Sequence, residues 1–469
     1  MNIIKELQLP AILIIFIVLM NTSVSTAQIV SNDNFSLGSY GRIGVGFSPE
    51  IPGNTGVPLN LQGQGSIGGR LEEQDYLELV GDYHFKPVNN SNDTTYINAQ
   101  VLLSMFASGG PFIGNVSTAS ERGLVLRIPE FFVEAHNIVG SQWSAWVGSR
   151  YYRDDDVHII DMYYFDDHSS QGFGVSRNNT ALSFIFPAIR DSSANYPPYS
   201  FVTTVNGTPT QSVRQRFIGI AEHSINLQNG NVIELLGEWH RLANAKGDSM
   251  CYPGDGGWVA GIKYNKDLNT AKAGSFNQFS VRYGRGIANG GDGGSTRTWL
   301  TYGAPDEQTK EFNNAYSISV VEHFLLNLSD RFSLNGYSLF RKSKGAADSD
   351  NKAPDYLGRP IYNRKTDFAV GFRTFVYLTD WFHLLNEAHY TVRKDGEQPS
   401  ATMFKVSIAP TVVPTARRSP WARPHLRLVF SAARYNDFAK DNLYSPFLQR
   451  SGQQQWGIYG GVKTEWWIY

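Results

Sequence analysis

From Phe35 onward the chain alternates with a period of two and offers no helix-period segment of useful length. In Phe35 to Phe47 (FSLGSYGRIGVGF) the apolar Phe35, Leu37, Ile43, Val45 and Phe47 share one face, while the other carries Tyr40 and Arg42. Successive strand side chains point to opposite faces, so the two faces of this segment meet different surroundings. The pattern returns many times. Leu77, Leu79, Tyr83 and Phe85 oppose Tyr76, Glu78, Asp82 and His84; Ile233, Leu235 and Trp239 oppose Glu234, Glu238 and His240. Phe368, Val370 and Phe372 oppose Asp367 and Arg373, and Leu426, Leu428 and Phe430 oppose Arg427 and Ser431. The chain ends with Ile458, Val462, Trp466 and Ile468 opposite Tyr459, Lys463, Glu465 and Trp467.

A soluble sandwich also alternates. Two features favour a membrane barrel instead. The strands are many and long, with no second compositional domain among them. Aromatics also gather near strand ends, at Phe35, Phe47, Tyr83, Phe85 and Trp466 to Tyr469, where interfacial girdles place them. Lipid offers no hydrogen bonds to an open sheet edge, so such strands must close on themselves. Polar stretches such as Asn89 to Thr95, Gly284 to Thr298 and Ser343 to Lys352 separate the strands. Long loops on one side and short turns on the other are the outer-membrane pattern.

Composition removes other classes. Charged residues are 18% of the chain and the formal net charge is -1, which excludes a nucleic-acid binder working through a basic surface. Cys251 is the single cysteine, so neither a disulfide scaffold nor a multi-cysteine zinc site is available. No long apolar run follows residue 30, which excludes a helical transporter. Before it, Lys5, the apolar stretch Ala11 to Met20 and the small residues Ser25-Thr26-Ala27 have the layout of a secretory signal peptide. Residues 1–27 are therefore expected to be removed, leaving a barrel domain over 28–469.

If the apolar faces meet lipid, Tyr40, Arg42, Tyr76, Glu78, Lys463, Glu465 and Trp467 face the interior. Aromatics beside charged groups in a wet channel suit sugars. A pyranose ring stacks its C–H face on an aromatic ring, and its edge hydroxyls need polar partners. Weak, similar, successive sites let such a ligand bind and move on. The densest polar block is Ser149 to Asp167 (SRYYRDDDVHIIDMYYFDD). Its acids could ligate a hard cation or do acid–base work, or the block could be a solvated loop. Its admixture of Ile159, Ile160, Tyr163 and Tyr164 favours a packed loop folded into the lumen. Crowded carboxylates there would favour cations.

The run Arg150-Tyr151-Tyr152 to Asp156-Val157-His158-Ile159-Ile160-Asp161-Met162-Tyr163-Tyr164 resembles the constriction loop of the maltoporins, the sugar-selective trimeric porins. Gly38-Ser39-Tyr40-Gly41-Arg42-Ile43-Gly44 is similar to that family's first strand. Ala422-Arg423-Pro424-His425-Leu426-Arg427-Leu428 resembles a late strand and Glu465 to Trp467 the terminal one. The pieces occur in family order along nearly the whole mature chain. The resemblance implies an 18-stranded antiparallel transmembrane β-barrel with an inward-folded constriction loop, a homotrimer in the lipid of the bacterial outer membrane, and a lumen path of stacked aromatics. It implies that Tyr40, Tyr76 and Trp467 belong to that path, that Arg42 and Arg70 flank it as a polar track, and that Asp156, Asp161 and Tyr163 form the constriction. Glu78, placed on the lumen face by alternation, is assigned to the track, and His158, within the same run, to the constriction.

The sequence departs from the family pattern in places. A constriction arginine is replaced by Asp154, with Arg153 one residue away. A second track arginine falls at Pro129, near Arg127. A late path tryptophan falls near Leu378, between Tyr377 and Trp381. The expected function is facilitated diffusion of maltodextrins or related oligosaccharides, with a general diffusion porin for small solutes and ions as the alternative. No nucleophile elbow or metal-binding His pair stands out. No catalytic residue, cofactor, metal or nucleic-acid partner is therefore expected.

Overall fold

The computed structural model describes residues 30–32, 34–85, 94–107, 124–187, 200–248, 251–290, 297 and 299–468. The signal-peptide expectation for residues 1–27 lies outside them. The long alternating segments are strands: β1 (Phe35–Phe47), β2 (Tyr76–Phe85), β3 (Tyr96–Ala107), β4 (Leu124–His136), β5 (Trp143–Arg150) and β6 (Ser170–Arg177). They continue as β7 (Thr180–Ile185), β8 (Arg216–Asn226), β9 (Val232–Leu242), β10 (Asp255–Leu268), β11 (Ser275–Gly286) and β12 (Tyr316–Ser329). The last six are β13 (Phe332–Lys344), β14 (Arg364–Tyr377), β15 (Phe382–Asp395), β16 (Ala401–Val412), β17 (His425–Tyr435) and β18 (Trp456–Ile468).

Each strand pairs antiparallel with its neighbours in sequence, and β1 pairs with β18 from Ser39↔Ile468 to Phe47↔Gly460. The result is a closed 18-stranded antiparallel barrel. Closure leaves no edge among these strands, which hydrocarbon requires. A short segment, Val30–Asn32, pairs with Phe35 to Leu37. It prolongs the line of β18 along β1 beyond the last residue of β18.

The burial pattern is that of a soluble protein turned inside out. Along β14, Lys365, Asp367 and Arg373 are buried, while Phe368, Val370 and Phe372 on the other face are exposed. Along β9, Glu238 and His240 are buried and Leu235 and Trp239 exposed. Exposed apolar side chains such as Val45, Leu126, Ile128, Phe131, Val147 and Phe430 form the lipid face. Among the described residues no helix is long and apolar enough to cross a membrane; the strands cross instead.

Connections alternate in length except near the C-terminus, where 396–400 at the long-loop end has five residues and 413–424 at the turn end has twelve. Segments 178–179, 227–231, 269–274, 330–331 and 378–381 are tight turns at one end, whereas 48–75, 151–169, 287–315, 345–363 and 436–455 are long loops at the other. Two long loops fold inward and form their own apolar cores on the inner wall. In loop 151–169, Val157, Ile159, Ile160, Met162, Tyr164 and Phe165 pack on lumen-facing Ile218, Ile220, Leu236, Val259, Val321 and Leu339. Each such burial stabilises by about 1.5–3 kcal/mol. This explains why those wall positions are apolar although they face the lumen. In loop 48–75, Leu59, Leu61 and Leu71 pack on Phe375, Tyr377, Leu385, Met403 and Tyr435. The first loop matches the inward fold expected from sequence; the second was not anticipated.

Candidate functional site

The ten candidate residues come from three strands and two loops, and all ten border one cavity of about 660 Å³. Tyr40 and Arg42 on β1, Tyr76 and Glu78 on β2, and Trp467 on β18 share the lumen face. They do so because the register pairs Tyr40 with Trp467 and with Glu78. Arg70 arrives from loop 48–75. Gly68 and Gly69 before it have φ of +102° and +107°, a region easy only for glycine. A side-chain carbon on Gly68 would sit 2.8 Å from Met403. The two glycines therefore let the loop lie against the wall and turn Arg70 into the lumen. Asp156, His158, Asp161 and Tyr163 arrive on the other inward loop, where a one-turn 3-10 helix, His158–Ile160, ends at Asp161 with φ +47°.

Four aromatic rings stand in file. Tyr76 and Tyr40 have centroids 5.9 Å apart, Tyr40 and Trp467 6.5 Å, and Trp467 and Trp421 6.3 Å. These separations fall in the range of favourable aromatic pairs. Trp421 is the member that sequence reasoning missed. It lies in segment 413–424, a turn rather than a strand, where alternation gives no signal. The structure places its ring next to Trp467, whereas Leu378 and Trp381 sit exposed in the turn after β14.

A charged track runs beside the rings. Arg70 donates to the Tyr40 hydroxyl at 2.7 Å and to Glu73 at 3.0 Å. Arg42 donates to the same hydroxyl at 3.1 Å, and its guanidinium lies 5.0 Å from the centre of the Tyr76 ring. The Tyr40 hydroxyl donates in turn to Glu465 at 3.2 Å. Glu465 also meets Arg423 at 3.0 Å, His425 at 3.1 Å and Arg427 at 3.5 Å. Tyr76 donates to Glu78. Burial works against the charge on Arg70, yet Glu73 and Tyr40 hold it well above the ordinary arginine range.

His158 lies between Arg70, whose nitrogen is 3.2 Å from Nδ1, and Arg423, 3.1 Å from Nε2. A neutral imidazole accepts at only one nitrogen, so one of the two contacts is a hydrogen bond. Burial and the Arg70 charge push the His158 pKa down, keeping the ring neutral. It packs on Trp467 at 5.4 Å and on Trp421 at 5.6 Å. Asp156 lies 3.5 Å from His158. Burial pushes the Asp161 carboxyl up, but Arg70 and Arg42 outweigh it and hold it below the usual range.

The acidic run does not act as one cluster. Asp155 turns away from this cavity toward the inner wall and pairs with Lys263 on β10. Asp166 is buried beside it. Burial first, then the Asp155 charge, raises its carboxyl to about 7. Asp154, Asp156, Asp161 and Asp167 border the cavity with Glu78, and face Arg42, Arg70, Arg153 and Arg297. The lumen is therefore mixed in charge rather than plainly acidic. Arg153, next to Asp154 in sequence, reaches the cavity. Its guanidinium stands 4.0 Å from the ring centres of both Tyr151 and Tyr163, a cation between two aromatic faces. Arg127, by contrast, lies over Phe106 at 4.8 Å and does not border the cavity. Among the described residues no group of His, Cys, Asp and Glu is arranged to hold a metal ion.

A family model described as LamB porin matches residues 35–467. Among solved structures, the chain is similar to the outer membrane channel DcaP of Acinetobacter baumannii, with 11% identity and a TM-score of 0.42 over 94% of this chain and 100% of that one. It is similar to OccK1 (OpdK) of Pseudomonas aeruginosa, with 10% identity and a TM-score of 0.43 over the same shares. It is also similar to OmpF of Salmonella typhi in complex with daunomycin, with 9% identity and a TM-score of 0.42 over the same shares.

Proposed function

The chain belongs to the LamB porin family and forms an outer-membrane channel, and from that premise we propose that it carries maltodextrins or related linear oligosaccharides by facilitated diffusion. The observation that supports this reading is the file Tyr76, Tyr40, Trp467 and Trp421, with ring centres about 6 Å apart and a charged track beside it. Successive glycosyl units would stack on successive rings while Arg42, Arg70, Glu78 and the constriction residues Asp156, Asp161 and Tyr163 exchange hydrogen bonds with their hydroxyls. His158 would act through position, holding Trp467 and Trp421 in place. Each contact is modest and resembles the next, so a sugar could advance by trading one subsite for another.

In the cell the chain would be exported by cleavage after residue 27, and would work as a homotrimer surrounded by outer-membrane lipid. Single-channel conductance in planar bilayers tests the sugar reading. Maltohexaose should block the current saturably and at far lower concentration than glucose, because it covers several subsites at once. Equal, weak block by all sugars would leave a general diffusion porin.

A further inference from the structure

A second cavity, of about 530 Å³, lies at the long-loop end of the barrel, within the size range of small-ligand clefts. Four loops and the end of β15 build it. Its aromatic walls are Tyr362 and Tyr444, with the nearly buried Tyr302 behind them. The Lys365 ammonium lies 4.7 Å from the centre of the Tyr302 ring, and the Lys352 ammonium 4.8 Å from that of Tyr362. Arg393 donates to Asp395 at 3.0 Å and to the Gly63 carbonyl at 2.7 Å, which ties loop 48–75 to the barrel. Tyr444 donates to the other oxygen of Asp395, so its ring is held in one orientation.

We propose that this cavity is a second carbohydrate subsite, which takes one end of a linear oligosaccharide before it reaches the aromatic file; the proposal rests on the sugar reading of the channel. Three observations carry it. First, fixed aromatic faces stand beside fixed charged groups, the combination that a pyranose needs. Second, Arg393 is paired with Asp395 at 3.0 Å and with Asp367 at 3.8 Å, so beside the two ammonium groups the wall carries both donors and acceptors, as hydroxyls require. Third, the two cavities share their partitions. Gln62 and Gly63 border the outer cavity while Gln64, Gly65 and Ser66 border the inner one. Likewise Thr301, Tyr302 and Gly303 face the outer cavity and Arg297, on the same loop, the inner. An oligosaccharide held outside is therefore a short step from the file, and its next units are presented at high local concentration.

The test uses the full protein in oriented planar bilayers, with maltohexaose added to one side at a time. Tyr362→Ala should lower the association rate from the long-loop side by about three- to ten-fold, the scale of one lost aromatic contact. The rate from the turn side in the same channels should stay at the wild-type value and serves as the internal reference. Tyr362→Phe, which keeps the ring, should behave as wild type. If Tyr362→Ala does not assemble, Gln62→Arg, at an exposed rim position, should obstruct the cavity and give the same one-sided loss. Wild-type association rates from both sides in the assembled variant overturn the outer subsite and leave the channel reading standing. Absence of block from either side in the wild type overturns the sugar reading, and the subsite with it.

Discussion

Tyr40 and Trp467 face each other across the seam where the barrel closes, on register-paired positions of β1 and β18, with ring centres 6.5 Å apart. More than 400 residues of chain separate them, so the central pair of the file exists only once the last strand has met the first. The same seam brings Arg42 opposite Glu465. Assembly of the site and closure of the barrel are thus one event.

The Tyr40 hydroxyl bridges Arg70 and Glu465, while its ring carries the stacking, so the two contributions can be separated. Tyr40→Ala should weaken maltohexaose block by about ten-fold, the scale of one aromatic contact and one charge-assisted hydrogen bond. Tyr40→Phe should lose only about two- to five-fold, because the ring stays. Titration of the blocked fraction of current measures both. Equal losses in the two variants would mean that the ring does not stack on the sugar.

Arg153 is held between Tyr151 and Tyr163. Removing it in Arg153→Ala should open space at the constriction and delete a positive charge that faces Asp161 and Asp167. Open-channel conductance should rise and the permeability ratio should move toward cations. Current–voltage curves in symmetric and graded salt read the two effects separately. A narrower or unchanged pore would place the Arg153 side chain outside the conduction path.

The barrel was legible because alternation is a property of single strands, and strands such as β1, β2, β14 and β18 write it plainly. Tyr40, Arg42, Glu78 and Trp467 could be placed on the lumen face by that rule alone. What could not be read depends on loops that turn back into the barrel. Arg70 follows from a motif resemblance; its position against the wall rests on the conformational freedom of Gly68 and Gly69. Trp421 sits in a turn without periodicity. Leu236 breaks the polar-inside rule because Phe165 and its neighbours cover it, a contact invisible in either segment. The acidic run read as one field, but the loop's conformation divides it between the cavity and Lys263 on the inner wall.

The anchor of loop 151–169 should weaken as pH rises above neutrality. Burial pulls the His168 pKa down, but Glu238, whose carboxylate lies 3.1 Å away, outweighs it and raises it to about 9. A histidine whose folded pKa lies above its ordinary 6.5 stabilises fully below 6.5, and that stabilisation is lost as pH rises through about 9. Asp166, raised to about 7, acts in the same sense, since its ionisation in a buried position costs stability up to that pH. His158, held neutral by burial, acts oppositely but only below 6.5. Hydrogen exchange of residues 151–169, corrected for intrinsic rates, should therefore show more frequent opening at pH 9 than at pH 6.5. A His168→Gln variant should flatten most of the difference. Opening that falls with pH across this window contradicts the assignment.

The remaining prediction concerns ion selectivity. Asp156 and Asp161 are about one-third exposed to the lumen, whereas Asp155 is spent on Lys263. Asp156 and Asp161 are two of five carboxylates facing four arginines around the cavity, so removing both should tip a nearly balanced field toward anions. A unit charge within about 4 Å of an ion's path is worth on the order of 1 kcal/mol in water-like surroundings, roughly a five-fold effect on permeability. Asparagine is the right replacement at Asp161, because the backbone there has φ +47° and asparagine tolerates that region as aspartate does. In Asp156→Asn plus Asp161→Asn channels, the reversal potential under a salt gradient should shift toward anion selectivity. The shift should shrink in ~1 M salt, where the screening length falls to ~3 Å. A double variant with wild-type selectivity at low salt would show that neither aspartate borders the narrow point, and that the arginines beside them set the field alone.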